Sequence, residues 1–385
     1  MINVINNLNN IRLTLIKRQD LVRIILVDSS TKEGMVESIT YSQNSSEPYS
    51  TLKIDIRYNY GMYDLFSPGD LILLEANVFD IENDEERFEL VNKFYLGRIV
   101  GTDNPSGRIT FSCRDFMTFA VTSTHSEKIT TNELASAFIE RTANRFSIPI
   151  NSIDETITPL SSRVLDSSSI YNMWLTTLTL EMNKSKLPYC MFMTPLGLVV
   201  KRIYTNKKGW LFESQDKLGN IFNSSREITV FDPDFANSVR TYVPTEQKDV
   251  GSVDLSSIST NGGKSVSVTD EESVQKYGLF QKDLNVGSMD ASEALAASDA
   301  LFNPTPIENV SLSVPSFFGI KLYDAVYVHN PKIQASSHYF VNGIEMTIQS
   351  GMSSMTLELA KIRDLPEATI TKISSDQGIL SSIMP

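Results

Sequence analysis

Ser67-Pro68-Gly69-Asp70-Leu71-Ile72-Leu73-Leu74 opens a run of strands that continues through Phe94-Tyr95-Leu96-Gly97-Arg98-Ile99-Val100 and Gly107-Arg108-Ile109-Thr110-Phe111-Ser112-Cys113. Pro68 presets φ, Gly69 permits a positive φ, and Asp70 bonds nearby backbone, so the first four residues spell a turn before an apolar strand. The same order returns near the other end of the chain. Leu322-Tyr323-Asp324-Ala325-Val326-Tyr327-Val328 is followed by His338-Tyr339-Phe340-Val341-Asn342-Gly343-Ile344, then by Ser354-Met355-Thr356-Leu357-Glu358-Leu359. Each copy has an Asp at a strand start, an aromatic-rich strand, a polar turn and an alternating strand. Asp70 and Tyr95 are 25 residues apart, Asp324 and Tyr339 only 15, and the ten-residue acidic stretch Asp80 to Glu89 accounts for the difference. Two similar modules in one chain let a three-fold assembly present six similar surfaces. Spacing alone does not separate a repeat from two ordinary β-meanders.

The segments around these runs fill in the organisation. Residues 11–120 are predicted β: Ile11 to Ile16 and Leu21 to Val27 are apolar runs, and Leu52-Lys53-Ile54-Asp55-Ile56-Arg57-Tyr58 alternates, with one face buried and the other wet. Thr130-Thr131-Asn132-Glu133 has capping-box spacing before a helix that runs to about Arg145. Ile170, Met173, Trp174 and Leu178 mark a second helix, and Tyr189 to Ile203 gives strand, turn and strand. Ile228 to Phe231 and Val239 to Val243 are short strand candidates. Ser252 to Ser267 is predicted to be an exposed loop, Glu271 to Lys282 partly helical, and Asp290-Ala291-Ser292-Glu293 the cap of an Ala-rich helix. The expected division is 1–121, a first β module; 122–235, an inserted α+β domain; 236–304, a linker and helical region; and 305–385, a second β module with a polar extension.

At 385 residues the chain is long enough for two or three domains, and 41% hydrophobic with 21% charged residues describes an ordinary globular protein. The formal net charge of −12 argues against a general phosphate-binding surface, so no specific nucleic-acid binding is expected. Met1 to Asn10 has Asn where a signal peptide needs an apolar run, and no stretch approaches a membrane span. Folding in a cytoplasm and no membrane insertion are the expectations. Cys113 and Cys190 lie in unrelated segments and are expected to be buried free thiols. Of three histidines, His329 and His338 flank a polar turn and face each other across a hairpin or lie exposed. Asn261-Gly262-Gly263-Lys264-Ser265 lacks the first Gly of a phosphate loop, where Ile258 stands. Asp80 to Glu89 fails as a calcium loop, with Glu85 where Gly is needed and Val91 at the last ligand position, and is expected to be a solvated insertion. No catalytic residue, cofactor site or metal site is assigned.

Taken in order, these parts resemble the baseplate hub of phage tails and related contractile particles, including the late-control proteins of contractile tails and the hub portion of type VI secretion spikes. The resemblance rests on Ser67 to Leu73, Phe94 to Ile99 and Ile109 to Asp115. It also rests on the helix and hairpin of Ile170 to Ile203, on Glu272-Ser273-Val274-Gln275-Lys276-Tyr277-Gly278, and on Tyr339 to Leu359. It implies a mainly β chain with an α+β insertion: two tube-like β-barrel modules plus a helix-hairpin domain. It implies a homotrimeric, pseudo-six-fold ring that joins a hexameric tail tube to a trimeric spike and leaves a channel for DNA. Tail tube protein, a separate spike protein, other baseplate or wedge proteins and a tape-measure protein in the channel are the implied partners. The implied location is the virion, in the tail baseplate, after assembly in the host cytoplasm. Nothing after Leu359 resembles a fused lysozyme or spike. The competing expectation is a cell-wall hydrolase or carbohydrate-binding tail protein, which needs a carboxylate with a raised pKa in an aromatic-lined cleft.

Overall fold

The computed structural model describes residues 11–28, 33–34, 36–57, 65–80, 83, 85–102, 108–203, 209–214, 219–243, 264–285, 291–349 and 352–361. Its first eight strands are β1 (Ile11–Ile16), β2 (Arg23–Asp28), β3 (Glu33–Gly34), β4 (Val36–Asn44), β5 (Thr51–Arg57), β6 (Leu71–Asp80), β7 (Glu85–Thr102) and β8 (Arg108–Arg114). Alternation drives them. In β5 the side chains of Leu52, Ile54 and Ile56 are buried while Lys53 and Arg57 reach solvent. Asp55 departs from the pattern. It is buried on the other face, where its carboxylate accepts from Ser38 at 2.8 Å and Thr110 at 2.6 Å. Burial raises its pKa, but these bonds and the charges of Lys53 and Arg108 outweigh that and hold it below the usual range.

The middle of the chain leaves this sheet. It forms α1 (Met117–Thr122), β9 (Thr124–Ile129), α2 (Ala135–Arg145), β10 (Ile150–Ile153), β11 (Arg163–Ser169), α3 (Ile170–Ser185), β12 (Tyr189–Thr194) and β13 (Gly197–Arg202). These pack around Phe138, Met173 and Trp174 in a core of their own. Ser169 caps α3 by accepting from the Asn172 N–H at 3.1 Å. The capping-box residues before α2 sit one turn earlier than expected. The Glu133 carboxylate accepts from Thr130 N–H at 2.8 Å, but the helix cap is Leu134 without a side-chain bond, because Asn132 takes a left-handed φ of 63° and ends that turn.

The chain returns as β14 (Trp210–Glu213) and β15 (Asn223–Thr229). It then forms β16 (Ser238–Val243), β17 (Lys264–Thr269), α4 (Glu271–Tyr277), β18 (Gln281–Asn285) and α5 (Ala291–Leu301). The last four strands are β19 (Ile307–Val314), β20 (Ala325–Asn330), β21 (Ala335–Gln349) and β22 (Met352–Ala360). The 122–235 boundary therefore differs from the pairing. β14 pairs in parallel with β20, and β15 antiparallel with β19, so both belong to the large sheet. Their partners lie far along the chain, β14 is only four residues long, and β15 is polar along most of its length, so neither carries a clear local pattern. Within 236–304, β16 lies between β17 and β18 in a small sheet beside the two expected helices.

The strand order of the two β regions is the same. The first runs β4-β5-β8-β7-β6-β1 and the second β15-β19-β22-β21-β20-β14. The first five strands of each are antiparallel to their neighbours. The sixth differs, antiparallel for β1 and parallel for β14. The two regions are not separate bodies. β21 pairs with β4 from Gly343↔Asn44 to Gln349↔Ser38, which fuses them into one 14-stranded sheet over one contiguous core. The pairings of the described residues give this open path and not two closed rings.

Candidate assembly interface

Each β region is pinned by an Asp turn of one design. Asp70 accepts from the Ser67 N–H at 3.0 Å, and Asp324 from the Lys321 N–H at 2.9 Å, so each carboxylate closes a turn three residues back. Gly69 N–H donates to the Leu96 carbonyl and Leu96 N–H to the Asp70 carbonyl. Tyr323 and Val341, then Val341 and Asp324, do the same. A bulge follows directly in both, between Leu96 and Arg98 and between Val341 and Gly343. This register equates Phe94 with Tyr339 and Tyr95 with Phe340. The aromatic strands therefore align one residue away from the sequence expectation of Tyr95 with Tyr339.

Both carboxylates are nearly inaccessible. Asp324 also accepts from the Trp210 indole N–H at 3.2 Å, and burial raises its pKa. Asp115, at the exit from β8, accepts from the N–H groups of Ser50 at 2.8 Å and Met117 at 3.0 Å. Burial pushes its pKa up to about 6. These raised carboxyls close turns and pin backbone.

The joint between β4 and β21 is stitched at its end by side chains. Ser45 N–H donates to the Asn342 carbonyl at 2.8 Å, the Ser45 hydroxyl bonds the Asn342 side chain, and Asn44 Nδ2 donates to Glu358 at 3.1 Å. Asn342 is the residue that the bulge leaves unpaired, so its polar groups are free to turn toward β4.

At the other edge of the second region, Glu308 gathers Arg226 at 2.9 Å, Lys361 at 2.8 Å and the Tyr339 hydroxyl at 2.7 Å. Burial alone would raise this carboxyl, but hydrogen bonds from Arg226, Lys361 and Tyr339 outweigh it and hold the pKa at about 2. The Glu272 to Gly278 motif is a lock on the fold. Ser273 Oγ donates to the Pro304 carbonyl at 2.8 Å, Asn237 Nδ2 donates to the Gly278 carbonyl at 2.7 Å, and Asn237 Oδ1 accepts from Phe280 N–H at 2.8 Å.

The other candidates from the sequence scatter. His338 lies opposite Tyr327 and His329 opposite Ser336, so the two histidines do not face each other. Among the described residues no group of His, Cys, Asp and Glu is arranged to hold a metal. Cys113 and Cys190 are buried, and burial pushes the Cys190 thiol up to about 12. Of the acidic stretch, Asp80 and Glu85 to Glu89 lie in strands, and Glu85 to Glu89 are exposed, as a solvated insertion requires. Asp80 pairs with Glu85 and Ala76 with Glu89, so the stretch is the tip of the β6–β7 hairpin, with Arg87 bonded to Asp80. Strand pairing takes up the backbone donors, and Arg87 tempers the acids. Phe79 just before it donates its N–H to the Phe318 carbonyl at 2.9 Å, which ties the hairpin to the second region. Of the phosphate-loop look-alike, only Lys264 and Ser265 lie within the described residues, paired in β17 with Val243 and Tyr242. Sequence reasoning missed the Ser45–Asn342 stitch and the Glu308 cluster. A clue to the first was strand length, since β21 outruns β20 and leaves edge for a second partner.

No helix among the described residues is long and apolar enough to cross a membrane. The fold matches solved phage tail proteins. The 43 kDa tail protein of prophage MuSo2 from Shewanella oneidensis is 12% identical with a TM-score of 0.65, over 92% of this chain and 99% of that one. A tail protein from Neisseria meningitidis is 11% identical with a TM-score of 0.62, over 91% and 96%. A Francisella PdpA–VgrG complex contains a chain 12% identical with a TM-score of 0.51, over 94% of this chain and 59% of that one. No curated protein matches the sequence. The YQBQ-like family profile matches residues 39–360, which take in both Asp turns, the inserted helices and all of the fused sheet except β1, β2, β3 and the start of β4, and the chain belongs to that family.

Proposed function

We propose that this protein is a structural hub of a phage tail or tail-like particle. Three chains form a ring of six β regions that joins a six-fold tail tube on one side to a three-fold spike on the other. The observation that carries this is the same six-strand order occurring twice in one chain, with the two copies already joined edge to edge by β4 and β21. A trimer of such chains has six-fold character in its sheet and three-fold character in everything inserted between the copies. The likeness to tail proteins and to a chain of a PdpA–VgrG complex supports a place in the baseplate, next to tube and spike. Other baseplate proteins are further partners, and a tape-measure protein and DNA pass through the channel. The excess of 46 acids over 34 bases suits a bore that does not hold nucleic acid. The role is one of adaptation and not of catalysis. Light scattering of the purified protein, alone and with its particle's spike protein, tests the reading. A three-chain particle is expected, and six equivalent copies per ring in a cryo-EM map of the particle would sink it.

A further inference from the structure

Two sheet edges in this chain correspond to the two sides of the β4–β21 joint, and among the described residues neither has a partner. β21 carries β22 on one side. On the other it carries first β20, up to Phe340, and then β4, from Gly343 onward. β7 is its counterpart. It carries β8 on one side and β6, up to Tyr95, on the other, and no strand follows β6 along Arg98–Thr102. β15 is the counterpart of β4, and it pairs only with β19 at the end of the sheet. Neither stretch contains proline, and an unprotected edge is a template for another strand.

We infer that β15 of one protomer pairs antiparallel with Arg98–Thr102 of β7 in a second copy of this chain, in the register of the internal joint. This rests on the ring proposed above and adds which strands meet and how. The register follows from the equivalences. Leu52 matches Val310 through their places opposite Cys113 and Leu359, so Tyr41 matches Arg226. The bulges match Gly343 with Arg98 and Ile344 with Ile99. Gly343↔Asn44 then becomes Arg98↔Thr229, Ile344↔Gln43 becomes Ile99↔Ile228, and Met346↔Tyr41 becomes Gly101↔Arg226.

The side chains suit this arrangement. Ile228 is 57% exposed on an edge strand, and the pairing sets it against Ile99, which is only half-buried. Gly101 presents no side chain to Arg226, whose guanidinium is already held by Glu308. The stitch also has its counterpart: Val230 N–H stands where Ser45 N–H does and meets the carbonyl of Gly97, the bulge residue of β7.

Cysteine pairs in the full-length chain test the register. Opposed residues on one face lie within disulfide reach, whereas a shift of one residue points the two side chains to opposite faces. Cys113 and Cys190 are buried and do not compete. Under mild oxidation the I99C/I228C protein is expected to form covalent species of up to three chains, while I99C/E227C stays unlinked. Light scattering on the same samples separates the possible failures. A three-chain particle in which I99C/I228C does not link, or links no better than the control, overturns this pairing and leaves the ring standing. A chain that stays single at all concentrations, alone and with spike protein, overturns both.

Discussion

The two Asp turns have one geometry and different sequences. In the first, Pro68-Gly69 supplies what a turn favours, and Gly69 sits at φ 98°. In the second, Leu322-Tyr323 occupies the same places, and Tyr323 is held at φ 66°, where a bulky residue is strained. The strain persists because the surroundings over-determine it. Tyr323 N–H is taken by the Val341 carbonyl, and the Asp324 carboxylate holds the turn from within. The network of hydrogen bonds, and not the local turn preference, is what the two regions share.

Three experiments probe how far that equivalence goes. The largest effect is expected at the matched pair Phe94 and Tyr339, both fully buried. Phe94→Ala and Tyr339→Ala should each cost about 3–5 kcal/mol in denaturant unfolding. Tyr339→Phe, which makes the second region resemble the first, should cost about 1.5 kcal/mol, because the hydroxyl bonds the ionised Glu308. A loss below 1 kcal/mol for either alanine variant, far under the ~3–5 range, would show that the two sites are not packed alike.

Next come the turn carboxylates. Asp324→Ala should cost about 2–3 kcal/mol, since it strands the buried Trp210 N–H as well as the Lys321 N–H. Asp70→Ala should cost less, about 1–2 kcal/mol, because its second donor, the Arg18 N–H, sits at an exposed residue that water reaches. Melting temperatures of the two variants side by side decide the order, and the reverse order would refute it.

The smallest effect is in pH dependence, and it has opposite signs in the two regions. Asp115 has a folded pKa of about 6, above its ordinary 3.8. Its contribution is therefore full below pH 3.8 and lost as pH rises through 6. Glu308 has a folded pKa of about 2, below 4.5, so its contribution is present above 4.5 and lost as pH falls toward 2. Neither slope can exceed about 1.4 kcal/mol per pH unit. Asp115→Asn should flatten the profile between pH 4 and 6, and Glu308→Gln should flatten it below 4.5. Unchanged slopes in those windows would remove these two groups from the account.

Much of the β architecture was legible because alternation and turn residues act locally. Ser67 to Asp70 announces its turn, and Ile54, Ile56 and Phe111 announce their buried face. The second Asp turn was visible only as an Asp before an apolar strand. The aromatic alignment is set by the backbone bonds that join Leu96 to Asp70 and Val341 to Asp324, which spacing cannot show. The joint was hidden for a different reason. Nothing near Asn44 in the sequence points to Gly343, and Arg226 lies 82 residues from the Glu308 that holds it. Six carboxylates in ten residues suggest solvent, and Glu85 to Glu89 are exposed, but nothing in that run points to the pairing of Phe79 and Val78 at its base with the second region.

The β4–β21 joint also bears on how fast an assembly can form. Its two strands belong to one chain, so they meet at the high effective concentration of a tether and not at that of free protein. A six-part ring made from single modules would need five encounters in solution, each losing translational freedom. Made from this chain it would need two, with three of the six joints in place before any two molecules collide. Half of the closure is then independent of dilution. Incomplete rings can hold only an even number of β regions, so a ring with five or seven of them cannot be built.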